Sequence, residues 1–308
     1  MPASFVELTL PDSPPAFTDP NSQLGWRLVV AYHQAMMPPV ACGGRRAEGW
    51  VLSMVIGSEN WTLSVLRDAL TASESAADIV SSTLLSEPDA AITFPTGTTP
   101  LAMFDILSAR AARGETDFSG VSIFFLDEYL GVTVEDPNSF TRWLTEALFN
   151  RVGIEPEQLH ALPVTADDPM ASAAKFDEAI SARGGLDLAV LGLGPNGHVG
   201  YNEPGSSVDS RTRVVTLTPE SRDQASAYWE GSLSIPDQAM TMGIGTLLES
   251  KQIVLLVTGE TKASMLRRAL EETISTEVPA SLLRSAGPRL TIIADEAAAS
   301  ELSATQSR

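Results

Sequence analysis

The sequence predicts an α/β fold: a mostly parallel, Rossmann-like, doubly wound sheet with helices on both faces. Short apolar runs such as residues 186–191 are bounded by glycines, a pattern typical of buried parallel strands. Segments with apolar residues at helical spacing, such as residues 101–112, alternate with these runs along most of the chain. This alternation favours a parallel sheet, because each helix carries the chain back to the edge where the next strand begins.

The predicted elements follow one another in a regular order. Apolar runs or alternation predict strands at residues 90–94, 121–125, 160–164, 186–191, 213–217, 253–257 and 290–294. Helical spacing predicts helices at residues 24–37, 61–85, 101–112, 140–152 and 170–183, and one ending at residue 270. Thr99 is expected as the N-cap of the helix at 101–112, with Pro100 as its first residue.

The chain divides into two predicted parts. Residues 1–50 form an N-terminal extension in which Pro, Ser and Asp cluster at residues 11–22. We predict this extension to be either poorly ordered or an appended helix. Residues 51–308 form the α/β domain, and the sequence shows no internal repeat and no low-complexity tract.

Composition excludes several classes of protein. Of the 308 residues, 44% are hydrophobic and 19% charged, as in ordinary globular proteins, and the net charge is −19. Such acidity argues against nucleic acid as a partner, because binding phosphate backbones needs basic patches.

We expect no membrane segment and no signal peptide, and the single cysteine suits a reducing cytoplasm. With three histidines and no HExxH or CxxC spacing, we expect neither a metal nor a cofactor.

The stretch at residues 186–207 is the strongest candidate for chemistry. An apolar strand is followed by a glycine-rich turn and then by Asn196, His198 and Glu203. Open α/β sheets bind ligands at the carboxyl ends of their strands, where glycines let the backbone approach the ligand. His198 can transfer protons near neutral pH, and Glu203 can orient it or stabilise its charge. The alternative is a surface histidine with satisfied hydrogen bonds.

The same turn matches the Gly-x-Gly-x-x-Gly spacing of dinucleotide sites at residues 192–197. That function requires a helix to begin inside the glycines, so that its N-terminus meets the pyrophosphate. Pro195 lies within the turn, and residues 198–205 are typical of a loop. The sequence therefore argues against a bound dinucleotide.

Two other turns also follow predicted strands. One turn lies directly before a predicted helix N-terminus and consists of Thr96, Gly97, Thr98 and Thr99. Backbone N–H groups and hydroxyls at such a position can bind a phosphate or carboxylate. The alternative is a capped helix start with no ligand.

The other turn carries two adjacent carboxylates, Asp127 and Glu128. Such a pair can serve acid/base catalysis, because one charge raises the pKa of its neighbour. The alternative is a solvated loop.

Three motifs in this order are more specific than any one of them: PTGTTP at residues 95–100, FLDEYLG at 125–131 and LGLGPNGHVGYNEPGSS at 191–207. Together they resemble the glucosamine-6-phosphate deaminase family, which is related to the 6-phosphogluconolactonases. The resemblance covers roughly residues 54–297. It implies hydrolysis of an aldose 2-amino-6-phosphate to the 2-ketose 6-phosphate and ammonia, without a cofactor.

The resemblance also implies a role for each candidate in the reaction. Asp127 corresponds to the base that moves a proton between C2 and C1 during enolisation. His198 corresponds to the catalyst of pyranose ring opening, supported by Asn196 and Glu203. Because an amide cannot accept a proton as a carboxylate does, Asn196 is expected to orient rather than to act as a base. The expected partner is a small sugar phosphate, and a homo-oligomer is left open.

The phosphate site departs from the family pattern. The turn at residues 96–99 corresponds to the phosphate cradle, and Lys262 to a cation that neutralises the phosphate. Ala227, however, takes the place of an arginine that binds phosphate in some members. Ser206 and Arg213 match an allosteric site known in some members, but Val215 replaces its lysine, so the sequence does not predict allostery.

The leading hypothesis is a deaminase that converts glucosamine 6-phosphate and water to fructose 6-phosphate and ammonia. Ala227 favours a rival, a related isomerase or hydrolase of another sugar, including an unphosphorylated one. A second rival is a non-catalytic sugar-phosphate sensor. A sensor is expected to lose Asp127 or His198 and to carry a DNA-reading helix-turn-helix, and the chain keeps both residues.

Overall fold

The computed structural model describes residues 27–33, 51–57, 61–228 and 235–303, with side chains for 61–226 and 235–303. Most of the predicted N-terminal extension, including Cys42, lies outside the described residues.

The structure forms the following strands: β1 (Arg27–His33), β2 (Val51–Gly57), β3 (Thr62–Leu66), β4 (Ala91–Thr93), β5 (Ser122–Phe124), β6 (Asp127–Tyr129), β7 (Leu159–His160), β8 (Leu188–Gly192), β9 (Arg213–Thr216), β10 (Gln238–Thr241), β11 (Gln252–Val257) and β12 (Leu290–Asp295). Its helices are α1 (Ala69–Ser86), α2 (Leu101–Ala112), α3 (Phe140–Leu144), α4 (Asn150–Val152), α5 (Pro169–Ala182), α6 (Pro219–Tyr228), α7 (Ile244–Leu248), α8 (Ala263–Glu271) and α9 (Pro279–Leu282). A π-helical turn, Thr145–Phe149, joins α3 to α4.

A nine-stranded sheet runs through the centre of the protein in the order β1-β2-β3-β12-β11-β8-β4-β5-β7. β1 and β2 pair antiparallel, and β2 is also antiparallel to β3. The strands from β3 to β7 in this order are all parallel. The predicted fold class, a mostly parallel α/β sheet, is confirmed.

The strand order reverses between β4 and β8. From β4 the chain adds β5 and β7 on one side, and from β8 it adds β11 and β12 on the other. Sheets of this kind bind ligands at the carboxyl ends of the strands where the order reverses. The turns that follow β4 and β8 therefore border one crevice.

A separate three-stranded antiparallel sheet lies in the order β6-β10-β9. The sequence predicted neither this sheet nor the strands β6 and β10. In its register Asp127 stands opposite Thr241, which in turn stands opposite Arg213. Asp127 is thus held on a paired strand, and the alternative of a solvated loop is wrong.

The predicted helix at residues 24–37 is wrong over the residues of β1. Its apolar run contains Val29 and Val30, whose β-branched side chains favour a strand. A run of this length cannot be assigned to helix or strand by periodicity alone.

The predicted helix at residues 61–85 is wrong over its first turns. Residues 62–66 form β3, and α1 begins only after Asp68, whose side chain accepts the N–H of Thr71 at 2.9 Å. The apparent helical spacing of Leu63, Leu66 and Leu70 crosses this boundary, and Leu70 is exposed. An N-cap aspartate was the signal that separates the two elements.

Two smaller predictions are also wrong. α2 begins at Leu101 with Pro100 at the N-cap position and no side-chain cap, so Thr99 does not cap it. β7 ends at His160, short of the predicted strand at 160–164, and Pro163 in that segment cannot donate a ladder hydrogen bond.

Candidate active site

A cavity of about 420 Å³ opens at the carboxyl ends of β4 and β8. Its walls include most of the residues predicted from the sequence, namely Thr96, Gly97, Thr98, Thr99, Asp127, His198 and Lys262. Asn196 and Glu203 are not part of the wall, but Asn196 bonds to the backbone of His198 and to Glu203. The structure thus brings every predicted site residue to one place.

The predicted anion cradle comprises the turn after β4 and the first turn of α2. Gly97 has a φ of +100°, a conformation in which a residue with a side chain is strained. Because no side chain caps α2, the N–H groups of its first turn are available to an anion. Thr96 and Thr99 are half-buried in the wall beside them.

Lys262 brings a positive charge to the cavity from the turn after β11. It ends the short 3-10 helix Glu260–Lys262, and burial lowers the pKa of its ammonium group. The buried carboxylate of Asp295 accepts the N–H of Gly259 with both oxygens, at 3.0 and 3.1 Å. The carbonyl of Gly259 accepts the N–H of Lys262 at 3.0 Å. Asp295 therefore fixes the backbone that carries Lys262.

Asp127 is the buried carboxyl group of the cavity wall, with 7% of its surface exposed. Burial raises its pKa to about 8, and the charge of Glu128 adds to the rise. A carboxyl group with this pKa can take up and release a proton near neutral pH, as a general acid/base requires.

Glu128 is buried but does not line the cavity. Its carboxylate accepts hydrogen bonds of 2.8 to 3.1 Å from the N–H groups of Tyr129, Phe140 and Thr141 and from the hydroxyl of Ser139. Glu128 thus anchors the start of α3 to β6 and places a fixed charge next to Asp127 in the chain.

The imidazole of His198 lies against the backbone of Gly194. A Cβ atom at Gly194 would come within 2.2 Å of Nε2, so only glycine leaves room for the ring. The other ring nitrogen, Nδ1, is 3.2 Å from the hydroxyl of Ser221 and 3.7 Å from a carboxylate oxygen of Glu203. His198 is buried, and its ring lies between the backbone of Gly194 on one side and Ser221 on the other.

The carboxylate of Glu203 lies on the Nδ1 side of the His198 ring. Burial by itself would raise its pKa, but interactions with His198, Ser221 and Asn196 outweigh burial and lower the pKa to about 2. The amide of Asn196 donates to Oε2 at 2.8 Å, and its carbonyl oxygen accepts the N–H of His198 at 3.2 Å. In this geometry Asn196 orients the pair rather than acting as a base.

Sequence reasoning missed two groups of residues in the site. An aromatic wall is formed by Tyr129, Phe140 and Tyr201, with the hydroxyl of Tyr201 donating to that of Tyr129 at 2.9 Å.

The second group, Thr218 and Ser221, lies at the start of α6. Thr218 contacts Glu203, and Ser221 contacts His198. The sequence Thr-Pro-Glu-Ser at 218–221, an N-cap before proline, could have predicted that helix.

Arg222 and Arg211 do not supply a second cation to the cavity. Arg222 pairs with Asp237 at 2.6 Å, and Arg211 pairs with Glu249. Neither lines the cavity, whose one cationic wall residue in the described part of the chain is Lys262. Ala227 lies on α6, and its side chain is outside the described residues.

The fold and the site together define an α/β protein in which an uncapped helix N-terminus, a lysine, a buried carboxyl group and a buried histidine line one cavity. Across residues 61–226 and 235–303, no group of three or more His, Cys, Asp or Glu could hold a metal ion. None of the helices described is long and apolar enough to cross a membrane.

The chain belongs to the family of glucosamine-6-phosphate isomerases and 6-phosphogluconolactonases, whose sequence profile matches residues 67–292. It is 41% identical to a glucosamine-6-phosphate deaminase of Cellvibrio japonicus, over 78% of this chain and 90% of that protein. It is 38% identical to a glucosamine-6-phosphate deaminase of Thermoanaerobacter pseudethanolicus, over 74% of this chain and 90% of that protein.

Solved structures show the same architecture. A monomeric glucosamine-6-phosphate deaminase superposes with a TM-score of 0.74 at 34% identity, over 78% of this chain and 99% of that one. A 6-phosphogluconolactonase from Thermotoga maritima superposes with a TM-score of 0.60 at 23% identity, over 76% of this chain and 99% of that one. The second likeness shows the shared fold alone.

Proposed function

We propose that the protein is an amino-sugar phosphate deaminase that converts glucosamine 6-phosphate and water to fructose 6-phosphate and ammonia. The observation that carries this proposal is that Asp127, His198 and the anion cradle line one cavity. Relatives that are 36% to 41% identical and carry the name glucosamine-6-phosphate deaminase support it.

In the first step the phosphate binds the turn at residues 96–99 and Lys262, and the pyranose ring opens. His198 takes the proton of the C1 hydroxyl and gives a proton to the ring oxygen as the bond between C1 and that oxygen breaks. The product is the open-chain aldehyde. Asn196 and the charged Glu203 hold His198 in place during both transfers.

In the second step Asp127 removes the proton from C2, while the C1 oxygen gains a proton and the 2-ammonium group gives one up, so that an enolamine forms. Asp127 then returns its proton to C1. The resulting iminium at C2 adds water, and loss of ammonia leaves the ketone. The substrate's 2-ammonium group favours the carboxylate form of Asp127, because a nearby positive charge lowers a carboxyl pKa. Binding of the substrate therefore brings Asp127 to its basic form.

The test is release of ammonia and fructose 6-phosphate from glucosamine 6-phosphate, measured beside N-acetylglucosamine 6-phosphate, glucose 6-phosphate and unphosphorylated glucosamine. We expect equal amounts of both products from glucosamine 6-phosphate and no ammonia from the acetylated sugar. A protein that binds the sugar phosphate but releases no ammonia from any of these would be the sensor.

A second candidate is a related enzyme for another sugar, including an unphosphorylated one. Ala227 favours it, because the arginine of some family members is replaced, and Arg222 and Arg211 are paired with carboxylates. Comparable turnover of glucosamine and glucosamine 6-phosphate would support this candidate. A strong preference for the phosphorylated sugar would exclude it.

We further infer that the protein works in the cytoplasm on a small sugar phosphate. The single cysteine supports a reducing compartment, and the net charge of −19 disfavours nucleic acid. One chain supplies the cradle and both proton-transfer groups, and one solved relative is described as monomeric. Both observations support catalysis by a single chain, whether or not a homo-oligomer forms.

A further inference from the structure

We propose that Ser221, in the first turn of α6, is a positioning residue for His198. Its hydroxyl holds the ring nitrogen Nδ1 and thereby leaves Nε2 free for the substrate. This inference rests on the proposed role of His198 in ring opening, and it adds a residue that the sequence motifs did not indicate.

The first observation is that Ser221 makes the shorter contact with Nδ1. Its hydroxyl oxygen is 3.2 Å from Nδ1, whereas the nearer oxygen of Glu203 is 3.7 Å away. A separation of 3.7 Å exceeds hydrogen-bond distance. Ser221 is 2% exposed, so water does not compete strongly for its hydroxyl.

The second observation is that the hydroxyl of Ser221 is itself held in place. Thr218 accepts the N–H of Ser221 on Oγ1 at 3.2 Å, and its hydroxyl donates to the hydroxyl oxygen of Ser221 at 3.2 Å. The N–H and hydroxyl of Thr218 also contact Oε1 of Glu203, at 3.3 and 3.4 Å. The start of α6 is therefore docked on the same carboxylate that supports His198.

The chemistry of ring opening explains why this contact matters. A neutral histidine must keep its proton on Nδ1 if Nε2 is to accept the proton of the C1 hydroxyl. The oxygen of Ser221 can accept the Nδ1–H bond and the Thr218 bond together, since a hydroxyl has two lone pairs. Nε2 then takes the proton from the C1 hydroxyl and returns one to the ring oxygen. No proton passes through Ser221.

The third observation concerns the cavity side of the ring. Nε2 belongs to the edge of the imidazole that lies against Gly194, and both Gly194 and Ser221 line the cavity. Ser221 and Gly194 therefore hold opposite parts of the ring, and rotation of the ring would break one of the two contacts.

The experiment compares Ser221→Ala with Ser221→Thr, which keeps a hydroxyl, and with Ser226→Ala, a control on the same helix outside the cavity wall. Nitrogen-15 NMR of the imidazoles reports which nitrogen carries the proton. The chain has three histidines, so His33→Gln and His160→Gln assign the signals of His198. Alanine suits a helix better than serine, so Ser221→Ala is expected to fold.

We expect the Nδ1–H form of His198 in the wild type, in Ser221→Thr and in Ser226→Ala, and a gain of the Nε2–H form in Ser221→Ala. We also expect Ser221→Ala to lower kcat for glucosamine 6-phosphate about tenfold, the worth of one hydrogen bond to a group that becomes charged. Its KM should stay close to that of the wild type.

An unchanged ratio of the two forms in Ser221→Ala, or an unchanged kcat in an active protein, would overturn the inference. The NMR readout needs no substrate, so it separates this inference from the proposed function. A shift of the proton in a protein that releases no ammonia would support the positioning role of Ser221 and refute the deaminase.

Discussion

At the scale of single residues, the chemistry of Asp127 is decided by burial. Burial and the neighbouring charge of Glu128 raise its pKa to about 8. Since the base must be deprotonated, and kcat/KM reports ionisations of the free enzyme, we predict that kcat/KM rises with pH and levels off above about pH 8. The measurement is kcat/KM for glucosamine 6-phosphate between about pH 6 and about pH 9.5.

Glu128→Gln provides the matched variant for this pH profile. It removes the neighbouring charge and keeps one of the two acceptor oxygens, so two of the four hydrogen bonds that Glu128 accepts can be retained. The rise in kcat/KM should therefore move to lower pH. A wild-type profile that is already level at pH 6 would show that Asp127 does not titrate in the free enzyme as its burial predicts.

Lys262 is the one lysine or arginine in the described wall of the cavity, so under the proposed function it is the side chain that neutralises the phosphate. We predict that Lys262→Ala raises KM for glucosamine 6-phosphate at least tenfold, about 1.4 kcal/mol, with little change in kcat. Ala227→Arg should lower KM by up to tenfold, because a guanidinium can bind phosphate with two hydrogen bonds. The measurement is KM for glucosamine 6-phosphate and for glucosamine in each variant.

Lys251→Ala is the control, because Lys251 is exposed, pairs with Asp187 and does not line the cavity. Unchanged KM values in both Lys262→Ala and Ala227→Arg would mean that the phosphate is not bound here. The enzyme for an unphosphorylated sugar would then be the better candidate.

At the scale of elements, the position of Lys262 depends on the neighbouring strand β12. The side chain of Asp295, at the end of β12, holds Gly259, whose carbonyl holds Lys262. We predict that Asp295→Ala raises KM for glucosamine 6-phosphate several-fold, leaves kcat nearly unchanged and leaves KM for glucosamine unaffected. Asp295→Asn keeps an acceptor oxygen and should behave more like the wild type.

Asp187→Ala is the stability control for that experiment. Asp187 is another carboxylate that holds a strand: it accepts the N–H of Ala91 at the start of β4, at 2.7 Å, and neither residue lines the cavity. Both alanine variants should lower the free energy of unfolding. If they also raise KM equally, the effect of Asp295 is loss of stability rather than displacement of Lys262.

Elements with strong local signals were predictable, and those formed by distant pairing were not. β8 was predicted as a strand because its apolar residues form a fully buried run between glycines, namely Leu188, Ala189, Val190 and Leu191. The small sheet was missed because β6 pairs with β10, more than a hundred residues later, and no local pattern encodes that pairing. Ser221 and Thr218 were missed for the same reason, because their contacts with His198 and Glu203 arise only from docking of α6.

At the scale of the whole molecule, topology explains why the motifs predicted the site. Each motif follows a strand of the parallel sheet, and β4 and β8 are neighbours at the reversal of strand order. The carboxyl ends of parallel strands meet at one edge, so residues a hundred positions apart reach the same cavity. The strands that precede the motifs, β4, β5 and β8, were predictable from the sequence, but their spatial order came from the structure.

The net charge of −19 opposes the approach of an anionic sugar phosphate. Salt screens this repulsion, since the Debye length falls from about 30 Å at 0.01 M to about 8 Å at 0.15 M. We predict that kcat/KM for glucosamine 6-phosphate rises with sodium chloride over this range, whereas that for an uncharged substrate does not. A steady fall with salt would show that the local field of Lys262 and the cradle outweighs the overall charge.

The central claim is that Asp127 transfers the proton between C2 and C1, and Asp127→Asn tests it most directly. The measurement is ammonia release from glucosamine 6-phosphate together with the affinity of the variant for the sugar phosphate. We predict that turnover is abolished while binding is nearly intact, because the amide fills the same space but cannot accept the C2 proton. Retention of more than a few per cent of wild-type activity would contradict this role for Asp127.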